Sequence, residues 1–167
     1  MTLTHLDAEG RARMVDVGAK PVTARRAVAE GRVLMSAEAF ALVQDATAHK
    51  GDVIAVAEIA GVMGAKRTGE LIPLCHPVPL DVVQVSVTPE PSWPGVRVTA
   101  TAQATARTGI EMEALVAVSV ACLTVFDMVK AADRGARIDG VRVLEKSGGA
   151  RGDWRAPDEQ DPNEGAM

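Results

Sequence analysis

The densest chemistry in the sequence lies between Lys66 and Pro77, where two cations, a carboxylate, a thiol and an imidazole fall within one short stretch. Pro73 and Pro77 frame Leu74-Cys75-His76. Proline fixes its own φ and drives the preceding residue away from helical backbone. The spacing therefore predicts a stiff, non-helical segment that can hold an imidazole at one angle. A plainer reading fits the same letters: a helix end rich in Lys and Arg, followed by a proline stop.

Three further clusters carry reactive groups: His49-Lys50-Gly51-Asp52, Thr108-Gly109-Ile110-Glu111-Met112-Glu113 and Phe126-Asp127-Met128-Val129-Lys130. Asp127 and Lys130 stand three apart, hence side by side on a helix. As an exposed pair they would contribute only a few tenths of a kcal/mol. They directly continue an uncharged run from Ala114 to Phe126, however. That position predicts a carboxylate at the rim of a buried surface, desolvated and tuned by the neighbouring ammonium for proton transfer. Glu111 and Glu113 suit the first turn of the same helix, where negative charge meets the helix dipole. Glu113 and Asp127 would share one helix face yet lie about 21 Å apart along its axis. They serve either opposite ends of a long ligand or different copies of a site shared between subunits, and the second is the expectation.

Arg25, Arg26, Lys50, Lys66, Arg67, Lys130, Lys146 and Arg151 lie in or near these clusters. So many cations around few carboxylates imply a highly anionic substrate such as a polyphosphate. No Walker A loop or dinucleotide-binding glycine motif is present, so side chains would have to hold the phosphates. The basic, glycine-rich stretch Lys146-Ser147-Gly148-Gly149-Ala150-Arg151-Gly152-Asp153 suits close approach of an anion. Taken alone, it reads as a flexible exit from a strand.

The elements that must position these groups follow from periodicity. Residues 1 to about 22 are polar and aperiodic, an expected loose arm in which Met14-Val15-Asp16-Val17 could dock. Arg25 to Met35 reads as a strand, and 36–47 as a helix capped by Ser36. Gly51 permits a left-handed turn and Asp52 caps a helix from Val53 to about Lys66, whose Ala57, Ala60, Gly61 and Gly64 allow close packing. Leu80 to Thr88 and Val96 to Ala106 alternate as half-buried strands, joined by a proline-rich turn with Trp93 at its tip. A long helix spans about Gly109 to Asp133. It is apolar nearly all round, which asks for a second partner, most simply another subunit. Val141 to Leu144 is the last strand. The order β-α-α-β-β-α-β implies an α+β, ferredoxin-like plan, an antiparallel sheet with helices on one face. One catalytic domain over 1–155 and a disordered acidic tail over 156–167 complete the reading.

Composition narrows the function. The net charge is −4, and Phe40, Trp93, Phe126 and Trp154 are the only aromatic residues. Nucleic-acid binding through a basic field or stacking platforms is not expected. Cys75 and Cys122, isolated, suit a reducing cytoplasm, and the spacing of Cys and His argues against structural zinc. The N-terminus lacks signal-peptide character. The apolar run falls short of the roughly 20 residues needed to cross a membrane, so no membrane partner is expected.

These clusters together resemble the cyclic pyranopterin monophosphate synthase family of molybdenum cofactor biosynthesis. The matching text is Met14-Val15-Asp16-Val17, His49-Lys50-Gly51-Asp52, Ala65-Lys66-Arg67-Thr68, Leu71 to Pro77, Thr108 to Leu115, Asp127-Met128-Val129-Lys130 and Lys146-Ser147-Gly148-Gly149. So many separated motifs in order are far more specific than any one of them. The resemblance implies a lyase that converts 3',8-cyclo-7,8-dihydroguanosine 5'-triphosphate to cyclic pyranopterin monophosphate and diphosphate. It implies a homohexamer, a trimer of dimers with active sites between subunits. It also implies Asp127 as catalytic acid–base with Lys130 and Lys50 beside it. Leu74, Cys75, His76, Glu111, Met112 and Glu113 would bind substrate, and Lys66, Lys146 and Arg25 would hold phosphate or base. No cofactor is required, although Mg²⁺ could accompany the triphosphate. The competing classes are a non-catalytic nucleotide sensor and a nucleic-acid-binding module. Asp127 disfavours the first, since an anion-binding site gains nothing from a carboxylate.

Overall fold

The computed structural model describes residues 9–46 and 48–157. Its elements are β1 (Thr23–Leu34), α1 (Ala37–Gln44), α2 (Val53–Lys66), α3 (Thr68–Leu71), β2 (Val82–Pro89), β3 (Gly95–Ala106), α4 (Glu111–Val129), β4 (Arg137–Ser147) and β5 (Trp154–Arg155). The strands form one antiparallel sheet in the order β2-β3-β1-β4-β5. The first four strands have the ferredoxin-like order, with α2 and α4 layered on one face.

Alternation decides which face is covered. Ala27, Ala29 and Val33 of β1, and Val96, Val98, Ala100, Ala102 and Ala104 of β3, are buried under the helices. Small side chains let α4 lie close to the sheet. A Cβ at Gly31 would come 2.7 Å from Cγ1 of Val118 and 3.1 Å from Val141. Helix α2 approaches α4 by the same device: a Cβ at Gly61 would stand 2.9 Å from the carbonyl oxygen of Ala117, and one at Gly64 2.8 Å from Val120. Helix α4 is long and apolar enough by length and composition to cross a membrane. Here β1, β3, β4 and α2 pack against it, and ten of its residues, from Glu113 to Val129, are buried.

Several boundaries differ from the periodicity, each for a local reason. Helix α1 starts as predicted, with the Ser36 hydroxyl accepting from Ala39 N–H at 3.2 Å. It stops at Gln44, short of the expected 47, where Ala46 takes φ +51; Thr47 lies outside the described residues. Helix α4 ends at Val129 rather than Asp133. Asp133 instead accepts from Ser36 N–H at 2.7 Å and from Gly135 N–H at 2.8 Å, bonds that need its carboxylate outside a helix. Strand β4 extends well beyond 141–144, because register shifts against β1 let it bend and continue. Gly140, at φ +61, supplies the backbone that one of these bulges requires.

The glycine-rich exit is not a loose end. It turns the chain into β5, where Lys146 pairs with Trp154 and Glu145 with Arg155. The expected tail begins inside the fold, since Ala156 N–H donates to Leu144 at 2.7 Å. Residues 158–167 lie outside the described residues, as do 1–8 of the expected N-terminal arm.

Candidate active site

Four distant parts of the chain meet at one end of the sheet and enclose a cleft of about 760 Å³. The start of β1 contributes Arg25, and the end of β4 contributes Lys146 and the following glycine loop. The first turn of α4 brings Glu111, Met112 and Glu113, and the proline-framed segment brings Leu74, Cys75 and His76. Eight of the sequence-predicted site residues therefore converge here.

The proline frame behaves as its chemistry dictates. After the single turn of α3 the chain leaves helical backbone, and Cys75 N–H closes a turn on Ile72 at 3.0 Å. His76 is held by the N-terminal arm: its Nε2 lies 2.8 Å from the carbonyl oxygen of Val15. The part of the arm expected to dock does so, and Val15, Val17, Lys20 and Pro21 form a wall of the cleft.

Glu113 is only 3% exposed. Burial pushes its carboxyl pKa upward, with its own backbone N–H opposing and Glu111 assisting the rise. The Cys75 thiol is likewise raised, first by burial and then by the charge of Glu113, so it is not an activated thiolate. Around these acids stand Arg25, Lys146, Lys20, Arg107 and Arg151. Arg26 lines the cleft but is tied to Glu145. Arg25 Nε donates to the carbonyl of Ala106 at 3.3 Å, and Lys146 Nζ donates to Gly152. Gly148 and Gly149 adopt φ +87 and +83, and a side chain on either would strike Ala24 or the Arg25 guanidinium. The loop is thus shaped to bring β4, β5 and Arg25 together.

Asp127, Lys130 and Lys50 form a separate cluster at the opposite end of α4. Lys130 Nζ donates to Asp127 Oδ1 at 2.6 Å, and Lys50 Nζ donates to Oδ2 at 2.5 Å. Lys50 reaches there because Gly51, at φ +96, turns the chain and Asp52 caps α2 through Ala55 N–H at 3.0 Å. The predicted desolvation of Asp127 is overturned: its side chain is 53% exposed in the single chain. The hydrogen bond from Lys130, then that from Lys50, draw its pKa down to about 2. Asp127 lies on the solvent-facing side of α4, while Val125, Met128 and Val129 on the other side remain buried. Lys66, in the last turn of α2, is exposed and lines no part of the cleft.

Sequence reasoning missed Lys20 and Arg107 as cleft residues. Lys20 precedes Pro21 just before β1, and Arg107 lies one residue before the Thr108 cluster, so adjacency to a strand end was the available signal. Among the described residues, no cluster of three or more His, Cys, Asp or Glu could hold a metal ion.

Comparison with known proteins gives these segments a common origin. The MoaC family model matches residues 14–149. A cyclic pyranopterin monophosphate synthase from Cereibacter sphaeroides strain KD131 is 59% identical over 154 residues, covering 92% of this chain and 97% of its own length. Proteins of the same name from Methylobacterium sp. strain 4-46 and Methylobacterium nodulans are 57% and 58% identical over 155 residues, covering 93% of this chain and 97% of theirs. The matched span contains the strap at Val15, the proline-framed His76, both ends of α4 and the start of the loop after β4: the chain belongs to the MoaC family.

Proposed function

We propose that the chain is a cyclic pyranopterin monophosphate synthase of molybdenum cofactor biosynthesis, a lyase acting on 3',8-cyclo-7,8-dihydroguanosine 5'-triphosphate. The observation that carries the reading is the convergence of four separated segments on one cation-lined cleft with a buried carboxyl at its base. A triphosphate needs such neutralisation, and Arg25, Lys146, Arg107 and Arg151 supply it from flexible side chains. Glu111, Met112, Glu113, Leu74, Cys75 and His76 bind the nucleoside part. No resident cofactor enters this account; Mg²⁺ would travel with the triphosphate as its counter-ion.

Asp127, Lys130 and Lys50 carry the proton transfers. An ionised Asp127 accepts a proton while an adjacent ammonium donates one, which opening the purine-derived ring and closing the pterin both require. Attack of a ribose hydroxyl on the α-phosphate then expels diphosphate, whose growing charge the cations stabilise. These three residues lie at the far end of α4 from the cleft of their own chain. The reading therefore pairs the Asp127 cluster of one subunit with the cleft of another, and Lys66 belongs to whichever site its exposed amine faces there. The outward side of α2 supports this assembly. Val56, Ile59 and Met63 repeat at helical spacing, and Ile59 and Met63 are 63% and 51% exposed. Leu123 of α4 is 58% exposed. Apolar surface of this kind marks a protein interface, and closed symmetric assembly into a hexamer of three dimers would bury it. The location that fits the two free thiols is the cytoplasm.

The test is direct. The purified chain incubated with the cyclised GTP derivative should release diphosphate and form the fluorescent pterin, and Asp127→Asn should lower kcat by roughly 10²- to 10⁴-fold with an unchanged circular dichroism spectrum. Absence of product from active substrate would reject the synthase in favour of a nucleotide sensor. Near-normal turnover by the variant would remove Asp127 from the chemistry.

A further inference from the structure

The cleft contains one contact that substrate binding alone does not require. His76 Nε2 lies 2.8 Å from the backbone carbonyl of Val15, a residue far away in sequence on the N-terminal strap. A carbonyl can only accept, so Nε2 carries the proton; in the neutral ring Nδ1 is then the acceptor. Among the described residues Nδ1 has no partner. The strap is built to hold that carbonyl in place. Asp16 Oδ1 accepts from Gly18 N–H at 2.8 Å, and Lys20 N–H donates to Val17 at 3.0 Å. Two local turns thus fix the backbone on the downstream side of Val15, while Pro73 and Pro77 fix the backbone that carries His76. Both partners are held by bonds within the chain itself. Hydrogen-bonding groups held in this way serve orientation better than affinity.

We propose that residues 14–20 are a positioning element of the active site: the Val15 carbonyl locks His76 as the Nε2–H tautomer, so that Nδ1 accepts a hydrogen bond from a hydroxyl or ring N–H of the substrate. The role of this bond in turnover rests on the synthase reading; the tautomer itself does not. A strap that merely walls the cleft would shift KM without affecting the imidazole. A strap that orients the imidazole shifts the tautomer and kcat together.

The experiment uses the full chain. An ester in place of the Val15–Asp16 amide, introduced with an α-hydroxy acid at position 16, weakens the Val15 carbonyl as an acceptor and leaves every side chain unchanged. The Asp16 N–H lost in this way makes no hydrogen bond among the described residues. Nitrogen-15 NMR of histidine-labelled protein, with the His76 signals assigned by their loss in His76→Gln, reads the tautomer. The unmodified chain should show Nε2–H alone. The ester should mix in the other tautomer and lower kcat about three- to tenfold, with KM within about twofold, the loss of roughly one hydrogen bond. His76→Gln can still donate to Val15 but has no acceptor at the Nδ1 position, so its kcat should fall at least tenfold while Tm stays constant. An ester that leaves kcat unchanged, an ester that lowers kcat with the tautomer unmoved, or a His76→Gln enzyme of normal kcat would each overturn the proposal. No turnover by the unmodified chain would strike the synthase reading instead, while the tautomer shift would still be read without turnover.

Discussion

At the residue scale, two carboxylates on one helix are driven in opposite directions by their surroundings. Asp127 sits between two ammonium groups in the open and is held ionised, with a pKa of about 2. Glu113 is enclosed and its pKa is raised. Neighbouring charge favours the ionised form of the first, and burial disfavours the ionised form of the second. The linkage is testable. Because the folded pKa of Glu113 lies above its unfolded value, its contribution is fully present at acid pH. It is lost as pH rises through the folded pKa. Glu113→Gln should therefore melt with wild-type at pH 4 and above wild-type at pH 8, a gain of about 2–4 °C for each kcal/mol recovered. Thermal melts of both proteins at the two pH values check this, and equal Tm values at pH 8 would deny a burial cost at Glu113. The motif letters singled out both residues but not these opposite shifts. The uncharged run before Asp127 suggested desolvation, and only the folded chain shows that Asp127 and Lys130 lie on the exposed face of α4 while Val125, Met128 and Val129 stay buried on the other.

At the element scale, the sequence was most legible where periodicity and caps agree. Ser36 and Asp52 start their helices, and the alternation of Val83, Val85 and Val87 and of Val96 through Ala106 maps directly onto β2 and β3. It was least legible where long-range bonds override local preference. Asp133 leaves α4 to bind Ser36, and β5 exists only because the glycine loop folds back onto β4. Ser36 and Asp133 lie 97 residues apart, and the turn into β5 depends on positive φ at Gly148 and Gly149, which hydrophobic periodicity does not report. The small residues of α2 were readable as a close-packing stripe, though not their partner. Gly61 now carries a specific expectation. A Cβ there would meet the Ala117 carbonyl, which is backbone and cannot rotate away. Gly61→Val should force α2 from α4, and overpacking of this kind costs about 2 kcal/mol. That lowers Tm by roughly 4–8 °C for a domain of this size, readable by calorimetry. A neutral or stabilising outcome, from the gain in helix propensity alone, would show that the helix pair can breathe at that point.

At the scale of the whole molecule, α4 is the ruler. It delivers Glu113 to a cleft at one end and Asp127 to an exposed ion cluster at the other, too far apart for one small substrate to touch both. The 3.6-residue geometry made that separation readable before any coordinates. The fold preserves it, and the apolar outer side of α2 supplies the surface by which a second chain could close the gap. The central claim is that each active site joins the cleft of one chain to the Asp127 cluster of another, and subunit mixing tests it most directly. Asp127→Asn keeps an intact cleft, and an Arg25→Ala/Lys146→Ala chain keeps an intact Asp127. Each alone should be nearly inactive on the cyclised GTP derivative. Unfolded together in equal amounts and reassembled, they should recover roughly a quarter of wild-type activity, the share of sites that draw both intact halves from different chains. A mixture no more active than the sum of its inactive parents would contradict the shared site.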